Sequence, residues 1–160
     1  MKYIQKFLED VIGPGFSACP DIEKWQAETI VKKHPNVPSQ ITNQILGWCN
    51  NGQGCPDVDI GSIIEICKEY CFDQKFIDED LLQTIEPYGI IICKYLIECS
   101  LFNRFVTLDS IVFECKCLYS PLYWDRHFDE EKELEDIKAS LQILSDENII
   151  SQSGDTFYIL

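Results

Sequence analysis

Positive charge is scarce in this chain. Its 160 residues hold 13 Lys and Arg against 27 Asp and Glu, a formal net charge of −14. The deficit is shared evenly: residues 1–86 carry 7 basic and 14 acidic groups, and residues 87–160 carry 6 and 13. A protein that grips nucleic acid needs clustered Lys and Arg to neutralise phosphates and release counterions. Neither part offers such a cluster, which disfavours DNA, RNA and anionic membrane and favours a partner protein with a basic surface. Apolar runs of ~20 residues are missing as well, so no membrane span is expected. Met1 to Ile12 has charges scattered through it and does not read as a signal peptide. Histidine is limited to His34 and His127, which leaves few candidates for an imidazole base. The patterns G-x-G-x-x-G, Walker A, H-E-x-x-H and G-x-S-x-G do not occur, and no internal repeat or low-complexity tract is present. The expectation is a protein without catalytic activity.

Cysteine, by contrast, is plentiful. The nine are Cys19, Cys49, Cys55, Cys67, Cys71, Cys93, Cys99, Cys115 and Cys117. An odd number without a secretion signal argues against a disulfide framework and for a reducing, cytoplasmic setting. Cys49, Cys55, Cys67 and Cys71 are spaced C-x5-C-x11-C-x3-C, and four thiolates can hold zinc tetrahedrally. That spacing is looser than paired C-x2-C knuckles, and Cys67 and Cys71 also fall on the apolar stripe of a helix. Core packing explains them without metal, so no cofactor is expected and zinc stays an alternative. Cys55, between Gly54 and Pro56, is the candidate nucleophile of a thiol enzyme, although Asp57 and Asp59 oppose its ionisation.

Hydrophobic residues make up 46% and aromatics 12%, enough for a folded core. Ile4, Phe7, Leu8, Val11 and Ile12 recur at helical spacing and Gly13-Pro14-Gly15 stops that helix. Asp21 is expected to cap a second helix to Lys33 that buries Ile22, Trp25 and Ile30. Pro38-Ser39 opens a third with Ile41, Ile45, Leu46 and Trp48 inward. Asp59 caps a fourth bearing Ile60, Ile63, Ile64, Cys67 and Cys71, and a short fifth runs from Glu79 to Glu86. These elements make residues 1–86 a helical subdomain.

Residues 87–160 form a second subdomain of different character. Tyr88 to Leu101 reads as a strongly apolar helix, Phe105-Val106-Thr107 as a short strand, and Asp109 as the cap of a helix over 110–119. An aromatic loop with Tyr123 and Trp124 leads to Asp129, which caps a long helix reaching Leu144. Asn148-Ile149-Ile150-Ser151 and Thr156 to Leu160 flank the Gly-containing turn Gln152-Ser153-Gly154-Asp155, a hairpin signal. The fold class is therefore mainly α, a helical bundle with a C-terminal unit of helices and a small β-hairpin. The order helix, short strand, helix, longer helix, hairpin, closing on LEDIKASLQILSDENIISQSGDTFYIL, resembles the winged-helix superfamily over roughly the last 70 residues. It is also similar to the C-terminal winged helix of small adaptor subunits of endosomal sorting complexes, without their proline- and tryptophan-rich N-terminal signature.

The resemblance implies either DNA binding or protein assembly, and charge separates the two. In DNA-binding members the third helix enters the major groove with Arg, Lys, Asn or Gln. Here the corresponding residues 129–147 hold eight acids against Lys132 and Lys138, which repels phosphates. The reading is an interaction module, whether adaptor, inhibitor or regulator. It docks a basic protein through Glu131, Glu135 and Asp136 and through the Tyr123–Trp124 loop. The alternatives are a winged-helix DNA-binding regulator and a zinc- or thiol-dependent enzyme.

Overall fold

A computed structural model of the chain describes residues 1–13, 21–50, 57–76, 79–85, 87–122 and 130–160. The chain divides into two units, Met1–Cys71 and Phe72–Leu160, so the boundary expected from sequence at 86/87 falls inside the second. The architecture is mainly α with small antiparallel sheets, as the apolar periodicity implies.

In the first unit, α1 (Lys2–Ile12), α2 (Lys24–Lys33), α3 (Ser39–Asn50) and the first three turns of α4 (Ile60–Lys75) surround a core of side chains at i, i+4 spacing. Ile4, Phe7, Leu8 and Val11 contribute from α1, Ala27 and Val31 from α2, Ile41, Ile45 and Cys49 from α3, and Ile63 and Cys67 from α4. Two tryptophans depart from expectation. Trp25 is 61% exposed and Trp48 38%, because α2 turns its Ala27–Val31 row inward and α3 its Ile41–Ile45–Cys49 row.

Asp21 does not cap a helix. It opens strand β1 (Asp21–Glu23), which pairs antiparallel with β2 (Asp57–Asp59) in the register Asp21↔Asp59, Ile22↔Val58, Glu23↔Asp57. Each strand runs directly into a helix. Glu23 and Gln26 form a capping box at the start of α2, with the Glu23 N–H donating to Gln26 Oε1 at 3.0 Å. Asp59 caps α4, accepting both the Ser62 N–H and the Ser62 hydroxyl at 2.7 Å, as its position in the sequence indicated.

The second unit is built on α6 (Tyr88–Leu101), which packs against α5 (Glu79–Ile85), α7 (Leu108–Leu122), α8 (Glu130–Asp146) and strand β5 (Thr156–Ile159). Contacts on several sides explain why its sequence is apolar nearly all round. A Thr107–Ser110 box starts α7, with the Thr107 N–H donating to Ser110 Oγ at 2.9 Å; Thr107, not Asp109, is the cap. Helices α6 and α8 end in the same way. Asn103 (φ 52°) and Asn148 (φ 55°) adopt the left-handed conformation. The next residue's N–H then bonds back to Cys99 O at 2.8 Å and Leu144 O at 2.9 Å, respectively.

Three strands complete this unit in the order β3-β5-β4, all antiparallel, with β3 at Val106–Thr107 and β4 at Ile150–Ser153. Gly154, at φ 59°, takes the first central position of the two-residue β4–β5 turn, where positive φ matches the strand twist. Val106 and Ile150 face the core, so alternate residues of the sheet face outward.

Candidate protein-docking site

Helix α8 has three faces of different chemistry. Ile137, Ser140, Leu141 and Leu144 are buried and hold it against the unit. Glu131, Glu135, Lys138, Gln142 and Ser145 are exposed. At about 100° per residue they form one stripe along the helix. Asp136 is also exposed but points about 100° away from Glu135. The three acids named from sequence therefore do not form one cluster: Glu131 and Glu135 share a face, and Asp136 stands on another. Tyr123 and Trp124 lie outside the described residues.

Toward its C-terminal end the stripe becomes the wall of a groove of about 270 Å³. Lys138, Gln142 and Ser145 line one side, Ile150 and Phe157 of the hairpin the other, and Leu141 is also among the lining residues. The Gln142 side-chain amide donates to Asp146 Oδ1 at 2.8 Å, which holds a further carboxylate beside the rim. Leu108, Leu141, Ile150 and Phe157 give the groove its apolar part, and Lys138 is its charged lining residue; the carboxylates of Glu131, Glu135 and Asp146 stand on α8 outside the lining.

One acid of this segment is not at the surface. Glu133 is buried and accepts a hydrogen bond from the Tyr88 hydroxyl, itself buried at the start of α6. A carboxylate facing the interior requires such a donor, so Glu133 serves to tie α8 to α6. Nothing in the acidic run distinguishes it from its neighbours except its phase. It lies four residues before Ile137 and therefore on the inner face.

The cysteines that are described behave as core residues. Cys49, Cys67, Cys71, Cys93, Cys99 and Cys115 are buried, and Cys117 is exposed. Burial pushes the thiols of Cys67, Cys93 and Cys115 up to about 12, aided at Cys67 by the neighbouring Cys71 thiol. At neutral pH these groups stay protonated and are poor nucleophiles. Cys49 donates weakly to the Lys24 carbonyl at 3.8 Å. Cys55 lies outside the described residues. Among the described residues no three His, Cys, Asp or Glu side chains are arranged to hold a metal ion.

One polar cluster went unnoticed in the sequence. Asp10 Oδ2, near the end of α1, receives both Lys33 Nζ and His34 Nε2 at 2.7 Å. The His34 ring meets Phe7 edge-on at 5.7 Å between centroids. Hydrogen bonds from Lys33 and then His34 hold the Asp10 carboxyl below its usual range. The residues are 23 and 24 positions apart in the chain, so no local spacing announces them. Their role is to fasten the C-terminal ends of α1 and α2.

Among the described residues, no helix is long and apolar enough to cross a membrane. Compared with protein-family models, curated proteins and solved structures, the chain matches none of them.

Proposed function

We propose that the second unit is a winged-helix-like module that serves a non-catalytic interaction protein, an adaptor, inhibitor or regulator. It docks a basic partner on the exposed stripe of α8. Support for the winged-helix reading comes from the element order α6-β3-α7-α8-β4-β5 with sheet order β3-β5-β4. The observation that carries the docking role is that Glu131 and Glu135 continue the α8 face that borders the hairpin groove. Opposite charge there speeds encounter and selects the partner, while the apolar part of the groove supplies contact area. Asp136, on another face, contributes to the general field rather than to the contact. The buried free thiols fit a reducing, cytoplasmic setting.

The test is capture of partners from the native cell, followed by affinity measurement with the purified partner. The Glu131→Lys/Glu135→Lys variant is expected to bind at least about tenfold more weakly, mainly through slower association. Asp136→Lys is expected to change affinity little. Equal effects of the two changes would reduce the stripe to bulk charge. Retention on DNA at moderate ionic strength would instead favour the DNA-binding regulator.

A further inference from the structure

The outward face of the C-terminal sheet has a composition unlike the rest of the chain. Its members follow from the strand register. Thr107 opposes Thr156, and Ser151 and Ser153 oppose Tyr158 and Thr156. One step beyond the Val106↔Phe157 pair, Phe105 falls opposite Tyr158, and Leu160 continues the same face past Tyr158. Phe105 is 80% exposed, Leu160 55% and Tyr158 42%. None of these seven residues is charged, in a chain where a quarter of all residues are. Large exposed apolar groups gathered on one uncharged face mark a contact surface.

Arg104 flanks this face at the Phe105 end and Asp155 flanks it at the turn. Both are exposed. Among the described residues neither has an ion-pair partner. The Arg104 guanidinium lies over the Phe102 ring at 5.2 Å, which leaves its outer edge available.

We propose that this face is the contact between two copies of the chain. A molecule of charge −14 repels its own copy over an acidic surface, so a self-contact belongs where carboxylates are few. Symmetry then assigns the details. A two-fold axis lying across the strands, at the level of Val106 and Phe157, reverses strand direction between the packed sheets. The Phe105–Tyr158 row of one copy then lies over the Thr107–Thr156 row of the other, large against small, at the ~10 Å spacing of stacked sheets. The same operation brings each Arg104 to the end of the partner sheet that carries Asp155. The contact is complementary to itself in shape and in charge.

Sedimentation equilibrium on the intact chain tests this. The wild type is expected to show a concentration-dependent dimer. Phe105→Asp is expected to weaken it by about a hundredfold or more, as for removal of a central aromatic anchor. An unchanged far-ultraviolet spectrum and melting temperature establish that this exposed site has not unfolded the chain. Arg104→Asp and Asp155→Arg are each expected to weaken self-association by about tenfold. Mixed in equal amounts, the two variants should form a heterodimer visible by native mass spectrometry, because each supplies the charge the other lacks. A wild type that stays monomeric at about 0.5 mM overturns the proposal and leaves the face to a different protein. A dimer indifferent to Phe105→Asp, or a mixture that does not recover association, overturns it equally.

Discussion

A methyl group on Gly89 has nowhere to go. A Cβ there would lie 2.4 Å from Cβ of Ile85, on the helix packed against α6. Both residues are buried, so relief requires α5 to shift rather than one side chain to rotate. Gly47 in α3 is the natural comparison, since a Cβ there meets nothing within 4 Å. Helix propensity favours Ala over Gly at either site by up to about 1 kcal/mol. Overpacking opposes that gain at Gly89 alone, at about 1–3 kcal/mol. Urea unfolding should therefore give opposite signs, with Gly47→Ala neutral to stabilising and Gly89→Ala destabilising by about 1–2 kcal/mol. A stabilised Gly89→Ala would mean that α5 does not pack this closely on α6. Sequence marks both positions only as glycines within helical patterns. The difference between them is made by Ile85, four residues back but on another helix, so the contact depends on how α5 meets α6 and not on spacing within one helix. The tie between Tyr88 and Glu133 is hidden for a different reason, since 45 residues separate its partners.

At the scale of the element, helix starts were partly legible and helix ends less so. Asp59 was readable as a cap because a carboxylate placed just before an apolar periodic run can accept the free N–H groups of the first turn. Asp21 looks equivalent in sequence, but its neighbour Ile22 is drawn into pairing with Val58, and the cap moves to Glu23. Strands of three residues carry too little periodicity to be recognised, so β1 and β2 were missed. Asn103 and Asn148 end their helices without a glycine, a stop signal weaker than the Gly13 that closes α1. The C-terminal hairpin was readable because Gly154 sits between two β-prone runs. The candidate site was legible as charge but not as geometry. Exposure of Glu131 and Glu135 followed from helical phase, whereas the groove depends on where the hairpin returns.

The Asp59 cap has a pH signature. Hydrogen bonds from the Ser62 hydroxyl and then the Ser62 N–H hold its carboxyl below the usual 3.8. The folded form thus binds the proton less readily than the unfolded form. The stabilisation is fully present above 3.8 and is lost as pH falls through the lowered value. Asp10 behaves in the same sense, through Lys33 and His34. Asp59→Ala should cost about 1 kcal/mol at pH 7, and its deficit relative to wild type should shrink as the pH drops below about 4. Urea titrations of both proteins at pH 7 and pH 3 measure this. A deficit that does not change with pH would remove the charged cap from the account.

On the scale of the whole molecule the net charge sets a background against which every local pair acts. A formal charge of −14 on 160 residues opposes compaction, because folding brings the carboxylates closer together. Attractive pairs oppose it only locally. Lys33–Asp10 and Lys68–Glu65 are partly exposed contacts at 2.7 and 2.6 Å, and such pairs contribute about 0–1 kcal/mol each. Added salt screens both kinds of interaction, shortening the Debye length from about 30 Å at 0.01 M to about 3 Å at 1 M. Long-range repulsion among many carboxylates loses most by this, while contacts shorter than the screening length lose least. The melting temperature at pH 7 should therefore rise by a few degrees between low and high sodium chloride, and calorimetry measures it. Acid offers an independent handle on the same force. Lowering the pH from 7 toward 5 partly neutralises the carboxylates before Asp59 and Asp10 give up their bonds, so stability at low salt should first increase. It should then fall below about pH 4 as those two groups protonate. A melting temperature that drops with salt, or falls steadily from pH 7 downward, would show that specific ion pairs outweigh self-repulsion. The acidic surface would then be a network of local attractions, and the field proposed to draw a basic partner to α8 would be correspondingly weak.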